Sequence, residues 1–408
     1  MRGLGLLPFA TAACFALAAA TLTSFPIIAP EVTSELHLSY SEVGGITAAY
    51  LFSYGLFQIP SALLGLQFGS GRILLAAVAV MSCSALVGTF ATSYAGWIVS
   101  RALLGVGGAV VFPLSLHLLT QAFSGRRLVT GIGIFVSGWG LGITLALFGA
   151  ARILRAFGWR EVLFAAVALG VVVFILLWRS LGALGRAQDE RVLATTGLWK
   201  LLPSLAGNRR LNLLALINGA GTATLIAVPG WLPLYLTRRF DASAADASAA
   251  LASIGLGVVV GGWSGSIMAN WLGWRPVVIA SLVVSAALTA VIPLLDVVGS
   301  VVVVATLIAW IGTFFPAPVQ SRFPSVVPTA WTALAAAYYN TLGWAGAFGA
   351  VLLFGYLVDW TGSFTTAWLW LALVPWLGVA AGVIFPEEVR KAGDLVRPGD
   401  SSSGHRSL

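Results

Sequence analysis

Phe25-Pro26-Ile27-Ile28-Ala29-Pro30 is answered later in the same chain by Val228-Pro229-Gly230-Trp231-Leu232-Pro233, with both prolines displaced by 203 positions (229 − 26, 233 − 30). Phe112-Pro113-Leu-Ser-Leu-His117 returns as Phe315-Pro316-Ala-Pro-Val-Gln320 at the same offset. Arg72 in one short loop likewise maps onto Arg275 in another. An offset of half the 408 residues describes two copies of one structural unit laid head to tail.

Hydrophobic residues make up 59% of the chain and charged ones 9%, against roughly 25% charged in soluble domains. A soluble chain of this length has no way to hide so much apolar surface, so lipid is the solvent for most of it. The formal charge of +8 is assigned to arginine-rich loops and not to nucleic acid, because no basic-aromatic surface module interrupts the apolar runs. Cys14 and Cys83 both lie in apolar segments and read as packing residues, too few for a disulfide framework. The apolar stretch from Leu4 to Pro30 exceeds the roughly 7–15 residues of a cleavable signal core. It also has its copy in the segment ending at Pro233, so it reads as a retained membrane helix. In such a chain a parallel repeat of this size is the mark of a two-halved secondary carrier.

Spans of about 20 apolar residues cross the hydrocarbon core as helix. They are expected at 5–29, 42–64, 73–90, 97–120, 129–151 and 162–178, then at 211–236, 247–270, 276–295, 299–321, 331–357 and 366–385. The expected fold class is an all-α membrane protein, with twelve transmembrane helices in two six-helix bundles related by a parallel pseudo-two-fold. The bundles would occupy 1–179 and 210–386, joined by a polar linker at 180–209 and followed by a polar tail at 387–408. Sixteen Lys and Arg fall in the even-numbered loops, linker and tails, against five on the opposite side. Both termini are therefore expected to be cytoplasmic, in a multi-pass protein of the inner membrane. Gly105-Val-Gly107-Gly108 and Gly138-Trp-Gly140-Leu-Gly142 lie within spans and read as close helix–helix contacts, since no strand or Lys-Ser/Thr accompanies them as a phosphate loop requires.

Several of these residues resemble the major facilitator superfamily. Tyr54-Gly-Leu-Phe-Gln58-Ile-Pro60 is similar to the family's second helix, and Arg101-Ala-Leu-Leu-Gly105-Val-Gly107 to its fourth-helix Arg-x-x-x-Gly pattern. Gly158-Trp159-Arg160 and Asp359-Trp-Thr-Gly362-Ser-Phe364 resemble the loops before helices six and twelve. The loop between helices two and three keeps glycines and Arg72 but lacks the family's aspartate, and its second copy carries Asn270 where that aspartate would sit, ahead of Arg275. The resemblance implies an alternating-access carrier. Arg101 through Arg127 and Asn340 through Phe364 look most like bacterial small-anion carriers of the cyanate-permease and anion:cation-symporter types. Drug exporters of this fold usually carry a Gly-Pro pair in helix five, which Ser137–Ala150 lacks.

Arg101 is a charge within a span and should face the bundle interior or a wet cavity, either as an anion ligand or as a tether to helix one. His117 and Gln320 sit at equivalent places after their Phe-Pro pairs and are candidates for gating or coupling, together with Arg72, Arg275 and Asn270. The proline preceding each should kink its helix. Mid-depth polar and aromatic residues supply the expected substrate cavity between the halves: Tyr50, Tyr54, Gln58, Asn218, Thr222, Tyr339, Asn340 and Trp344. No Asp or Glu occupies a span centre, which disfavours cationic cargo and a carboxylate proton relay.

The expected partners are the bilayer, a small-molecule solute and a coupling ion, proton or counter-anion; neither a cofactor, a metal, nucleic acid nor a second subunit is expected. A small anion, or a neutral polar compound, is the expected cargo. A multidrug or metabolite exporter is the alternative, and a nontransporting sensor of the same fold a lesser one. With two cysteines and three histidines, two of these outside the spans, no acid–base or metal cluster for a membrane enzyme can be assembled.

Overall fold

Backbone polar groups in lipid must be satisfied within the segment that carries them, which leaves helix as the form for long apolar runs. The computed structural model, which describes residues 4–38, 40–182 and 201–386, is helical along nearly all of that length. Twelve of its helices are long and apolar enough to cross a membrane. The first half holds α1 (Leu7–Leu36), α2 (Tyr40–Phe68), α3 (Ser70–Thr89), α4 (Tyr94–Ala122), α5 (Gly125–Leu145) and α6 (Trp159–Gly182). The second holds α7 (Arg209–Phe240), α8 (Ala244–Leu272), α9 (Trp274–Val291), α10 (Val298–Gly312), α11 (Thr332–Thr361) and α12 (Phe364–Ile384).

Most expected spans fall within these helices to about two residues, but 276–295 runs past Val291, 299–321 runs past the end of α10 at Gly312, and α1 and α5 both continue beyond their expected ends. Helix α5 was expected to stop near 151 but continues through a π turn at Ala146–Ala150 into Ala151–Phe157. The wider turn absorbs the irregularity without ending the rod. Of the expected linker, Leu201–Ala206 form a short helix, while 183–200 and the tail at 387–408 lie outside the described residues.

The backbone repeats more faithfully than the side chains do. Among the described residues, seven have positive φ, and six of these form three pairs: His37 with Asp241, Gly69 with Gly273, and Gly158 with Gly362. Each pair is 204 positions apart (241 − 37, 273 − 69, 362 − 158). At Gly69 and Gly273 the φ values of 95° and 88° let the chain leave one span and enter the next with almost no loop, a turn that side-chain-bearing residues disfavour. The offset exceeds by one residue that of the proline pairs Pro26/Pro229, Pro30/Pro233 and Pro113/Pro316. Arg72 is consequently the third residue of α3, whereas Arg275 is the second of α9. The two arginines are not strict counterparts but differ by about 100° around the helix.

The two Phe-Pro segments also diverge. Helix α4 runs unbroken past Pro113, whereas α10 ends at Gly312 and resumes as a separate turn at Pro316–Gln320. The second copy carries Pro318 as well as Pro316, so two backbone donors are missing within one turn and the ladder fails there. Of the two proline-bearing helices, the first is continuous and the second is broken.

Within the halves α2 lies along α4, α1 along α5, and α7 along α11; the halves meet where α5 runs beside α8 and where α11 runs beside α2 and α4. The glycines of α5 explain how closely these rods approach. Gly138 and Gly142 present bare Cα atoms to the backbone of Ala12 and Ala16 on α1, while Gly140 faces Gly255 and Val258 on α8.

Burial is unequal across the membrane. On the terminal side, where α1 begins and α12 ends, one core unites the halves, running from Leu7, Leu119 and Leu128 to Leu211, Phe323 and Leu334. On the far side the core splits in two. Phe25, Ile46, Trp97 and Trp159 belong to the first half, and Leu232, Ile254, Val301 and Trp368 to the second. The halves are sealed together on the terminal side and parted on the other.

Candidate functional site

Between the parted halves lies a cavity of about 370 Å³. Its wall runs from Gln320 and Asn340 at the floor to Leu147, Gly230 and Leu251 toward the far side, so it opens away from the sealed end. Both halves contribute, with Phe15, Thr23, Phe112 and Trp139 from the first and Asn218, Thr222, Asn340 and Trp344 from the second.

An aromatic arc holds the wall together. Phe15 and Trp139 have ring centroids 5.0 Å apart, Trp139 meets Trp344 edge-on at 6.2 Å, and Trp344 meets Tyr54 at 5.6 Å. These contacts link α1, α5, α11 and α2 in turn, at the separations aromatic pairs prefer. Beneath the floor Phe112 stacks on Tyr339 at 6.3 Å, and Phe323 stands edge-on to the same ring at 5.1 Å. That triple closes the passage toward the terminal side.

The polar groups are few and mostly held in place. Asn218 donates to the carbonyl of Tyr339 at 3.4 Å and accepts from the Thr222 hydroxyl at 3.2 Å. Asn340 donates to the Tyr54 hydroxyl at 3.2 Å, across the two halves. Gln320 Oε1 is buried without a partner among the described residues. No Lys, Arg, His, Asp or Glu lines the cavity among the described residues, and no cluster there could hold a metal ion.

Of the candidate residues, Asn218, Thr222, Asn340 and Trp344 line this cavity, and Gln320 joins them. Tyr50, Tyr54, Gln58 and Tyr339 are buried behind or beneath the wall, Tyr50 and Tyr54 stacked at 5.6 Å. Arg101 is not brought to the cavity. It is 2% exposed, donates to the carbonyl of Thr21 on α1 at 3.1 Å and lies over the rings of Phe25 and Trp97 at 4.6 and 5.5 Å. Of the two readings of this residue, its surroundings match the tether.

His117 is also packed away, its Nε2 3.0 Å from the side-chain amide of Gln121. Asn270 bridges the halves on the terminal side, donating to Thr130 Oγ1 at 3.1 Å. Arg275 donates to the carbonyl of Phe385 and lies beside Trp274, and Arg72 stands in the first turn of α3. None of these three lines the cavity. The residues that sequence reasoning missed are Phe15, Phe112 and Trp139. The available signal for Trp139 was a bulky indole between two glycines at mid-span.

The Major Facilitator Superfamily family description matches residues 10–351 of the chain. The tetracenomycin C resistance and export protein of Streptomyces glaucescens is 28% identical over 153 residues, covering 38% of this chain and 28% of that protein. The chain spans between 27% and 37% of the length of this protein and two other curated relatives that it matches. The D-galactonate transporter of Escherichia coli is 22% identical, covering 82% of this chain and 84% of that one. The fucose:proton symporter FucP of E. coli superimposes with a TM-score of 0.77 at 15% identity, over 95% of this chain and 99% of that one, a likeness of fold alone. With twelve apolar helices, this architecture and a family match over most of its length, the chain belongs to the Major Facilitator Superfamily and is a multi-pass membrane protein.

Proposed function

We propose that this transporter moves a small amphipathic organic molecule, uncharged over the part that enters the cavity, across the cytoplasmic membrane by alternating access. The observation that carries the reading is the cavity wall, which has aromatic rings on its sides, amides at its floor and no charged side chain among the described residues. An ion entering it would lose hydration without gaining a countercharge. An apolar body would gain about 25 cal/mol for each Å² it buries. An anion is the cargo that the resemblance of Arg101–Arg127 and Asn340–Phe364 to small-anion carriers implies, but the one cation within a span, Arg101, is turned to the carbonyl of Thr21 on α1 and the ring of Phe25. The export proteins among the relatives are in keeping with organic cargo.

The excess of arginine on the terminal side supports cytoplasmic termini, and the parted far side then corresponds to an outward-facing state. The absence of carboxylates from the wall among the described residues favours exchange or facilitated diffusion over a carboxylate proton relay.

The test is a thermal-shift screen of the purified protein against neutral amphiphiles, small carboxylates, nitrate and cyanate, followed by uptake of the hits into proteoliposomes. Stabilisation and uptake of neutral amphiphiles is the expected result. Stabilisation by small anions alone, abolished in Arg101→Ala, would overturn the reading.

A further inference from the structure

On the other side of the α7–α11 pair from the central cavity lies a second, larger hollow of about 660 Å³. It is bounded by α7, α11 and α12, and its floor is the crossing of α7 and α11, where Gly346 faces the backbone of Gly219 with no side chain between them. Along α11 it extends from Tyr338 to Leu353, about 22 Å by helical rise. One leaflet of the hydrocarbon core is about 15 Å deep, so the groove runs the depth of a leaflet and beyond. Its polarity is confined to one end. There the Tyr338 hydroxyl donates to Asn212 Oδ1 at 2.8 Å, while the rest is lined by residues such as Leu342, Leu353, Trp370 and Leu377.

The stripe of α7 that lines the groove, Asn212, Ala215, Leu216 and Gly219, continues one turn outward to Arg209. That residue is exposed and forms no ion pair with a described residue. A cation at the membrane surface therefore heads a long apolar trough.

We infer that this groove is a binding site for one acyl chain of an anionic phospholipid in the terminal-side leaflet, its phosphate held at Arg209. The charge complementarity is that of a single positive side chain at the surface, worth about 1 kcal/mol of attraction to anionic lipid. The trough supplies the headgroup-independent share by van der Waals packing along the chain, since passage from bilayer to groove removes no apolar surface from water. The acyl chain sets occupancy and the phosphate sets preference.

Gly349 gives a clean probe. It lines the groove, and a Cβ built there meets nothing within 4 Å. Gly349→Trp should therefore fill the trough while disturbing no neighbour at its base, with Gly349→Ala as the control for folding.

The experiment is native mass spectrometry of the full chain released from nanodiscs containing equal phosphatidylglycerol and phosphatidylcholine, with thermal stability recorded alongside. Wild type and Gly349→Ala should retain one phosphatidylglycerol in preference to phosphatidylcholine by about fivefold, the equivalent of that attraction. Gly349→Trp should lose the retained lipid at least tenfold, and Arg209→Gln should keep a lipid but show no headgroup preference. Glycerol phosphate added in excess should fail to displace it, which separates a lipid site from a free phosphate site. Equal retention of both lipids by wild type, or retention undiminished in Gly349→Trp, would overturn the assignment.

Discussion

Asn340 on α11 donates its side-chain amide to the hydroxyl of Tyr54 on α2 at 3.2 Å, and the two residues belong to opposite halves of the molecule. The bond lies at the upper edge of the terminal-side seal, between the cavity floor and the Phe112–Tyr339 stack. Any movement that opens the seal has to break it.

Tyr54→Phe removes that bond while keeping the ring that packs on Trp344. A buried hydrogen bond is worth about 1 kcal/mol net, so the balance between the two openings should shift about fivefold away from the state described above. Cysteine labelling at the terminal side, or spin-label distances across the seal, will read the shift. An unchanged distribution would mean that the bond is incidental to gating.

Gly138 and Gly149 are both in the helical rod of α5 but should respond oppositely to a side chain. A Cβ at Gly138 would collide with the backbone of Ala12, whereas one at Gly149 meets nothing within 4 Å. Gly138→Val should destabilise by about 1–3 kcal/mol or prevent folding, as overpacking at a backbone contact does. Gly149→Ala should leave stability within about 0.5 kcal/mol of wild type. Melting temperatures in one detergent distinguish the two.

The fold was legible because its evidence is one-dimensional. Run length, loop charge and the recurring prolines need no knowledge of which way a helix faces. The site was legible only in part for the opposite reason. Asn218, Thr222, Asn340 and Trp344 were found because a polar or large aromatic group at mid-depth has few places to go. Phe15 and Phe112 were not, since in a span that is apolar all round a residue on a cavity face looks like one on a lipid face. Arg101 and Tyr50 lie within spans but face neighbouring helices, Arg101 toward α1 and Tyr50 toward Gly108 on α4, and azimuth is what sequence alone withholds here. The one-residue difference in offset between prolines and helix ends shows only when the positive-φ pairs are set against each other.

Outside the membrane, Glu35 at the end of α1 accepts from Arg160 at 2.5 and 3.0 Å and from the Trp159 indole at 2.8 Å. The Arg160 hydrogen bond, then that of Trp159, holds its carboxyl below the ordinary value of 4.5. A depressed folded-state pKa gives stability that is present above the unfolded value and lost as pH falls through the folded one. The tie between α1 and α6 should therefore be intact at neutral pH and weaken only below about pH 4.5. Exposure limits it to about 1 kcal/mol at most. Glu35→Gln should lower the melting temperature slightly at pH 7 and have less effect at pH 3.5. Equal effects at both would mean that the carboxylate's charge plays no part.

Arg101 offers a test in which stability and binding part company. Arg101→Lys keeps the charge but loses the planar fork and its stacking on Phe25 and Trp97. Both it and Arg101→Ala should lower thermal stability, by about 2 kcal/mol or more for alanine, while cargo affinity in the folded fraction stays within about twofold. Loss of affinity at unchanged stability would return Arg101 to the binding site.

Trp139 and Trp344 come from different halves, and their rings meet edge-on at 6.2 Å on the cavity wall. A molecule lying against both is held by the two halves at once, which is what a carrier requires if cargo is to bias their relative movement. Each indole offers a large apolar face, so truncation should remove about 1.5–3 kcal/mol of binding, a loss of ten- to a hundredfold. Trp139→Phe and Trp344→Phe should recover most of it, because area and ring geometry matter here more than the indole N–H. Because Trp139 and Trp344 also touch each other, the double alanine variant should cost less than the two single losses together. Calorimetric titration of the best hit from the thermal-shift screen reads all five proteins. Unchanged affinity in both single alanine variants, with the fold intact, would remove this cavity from consideration as the cargo site.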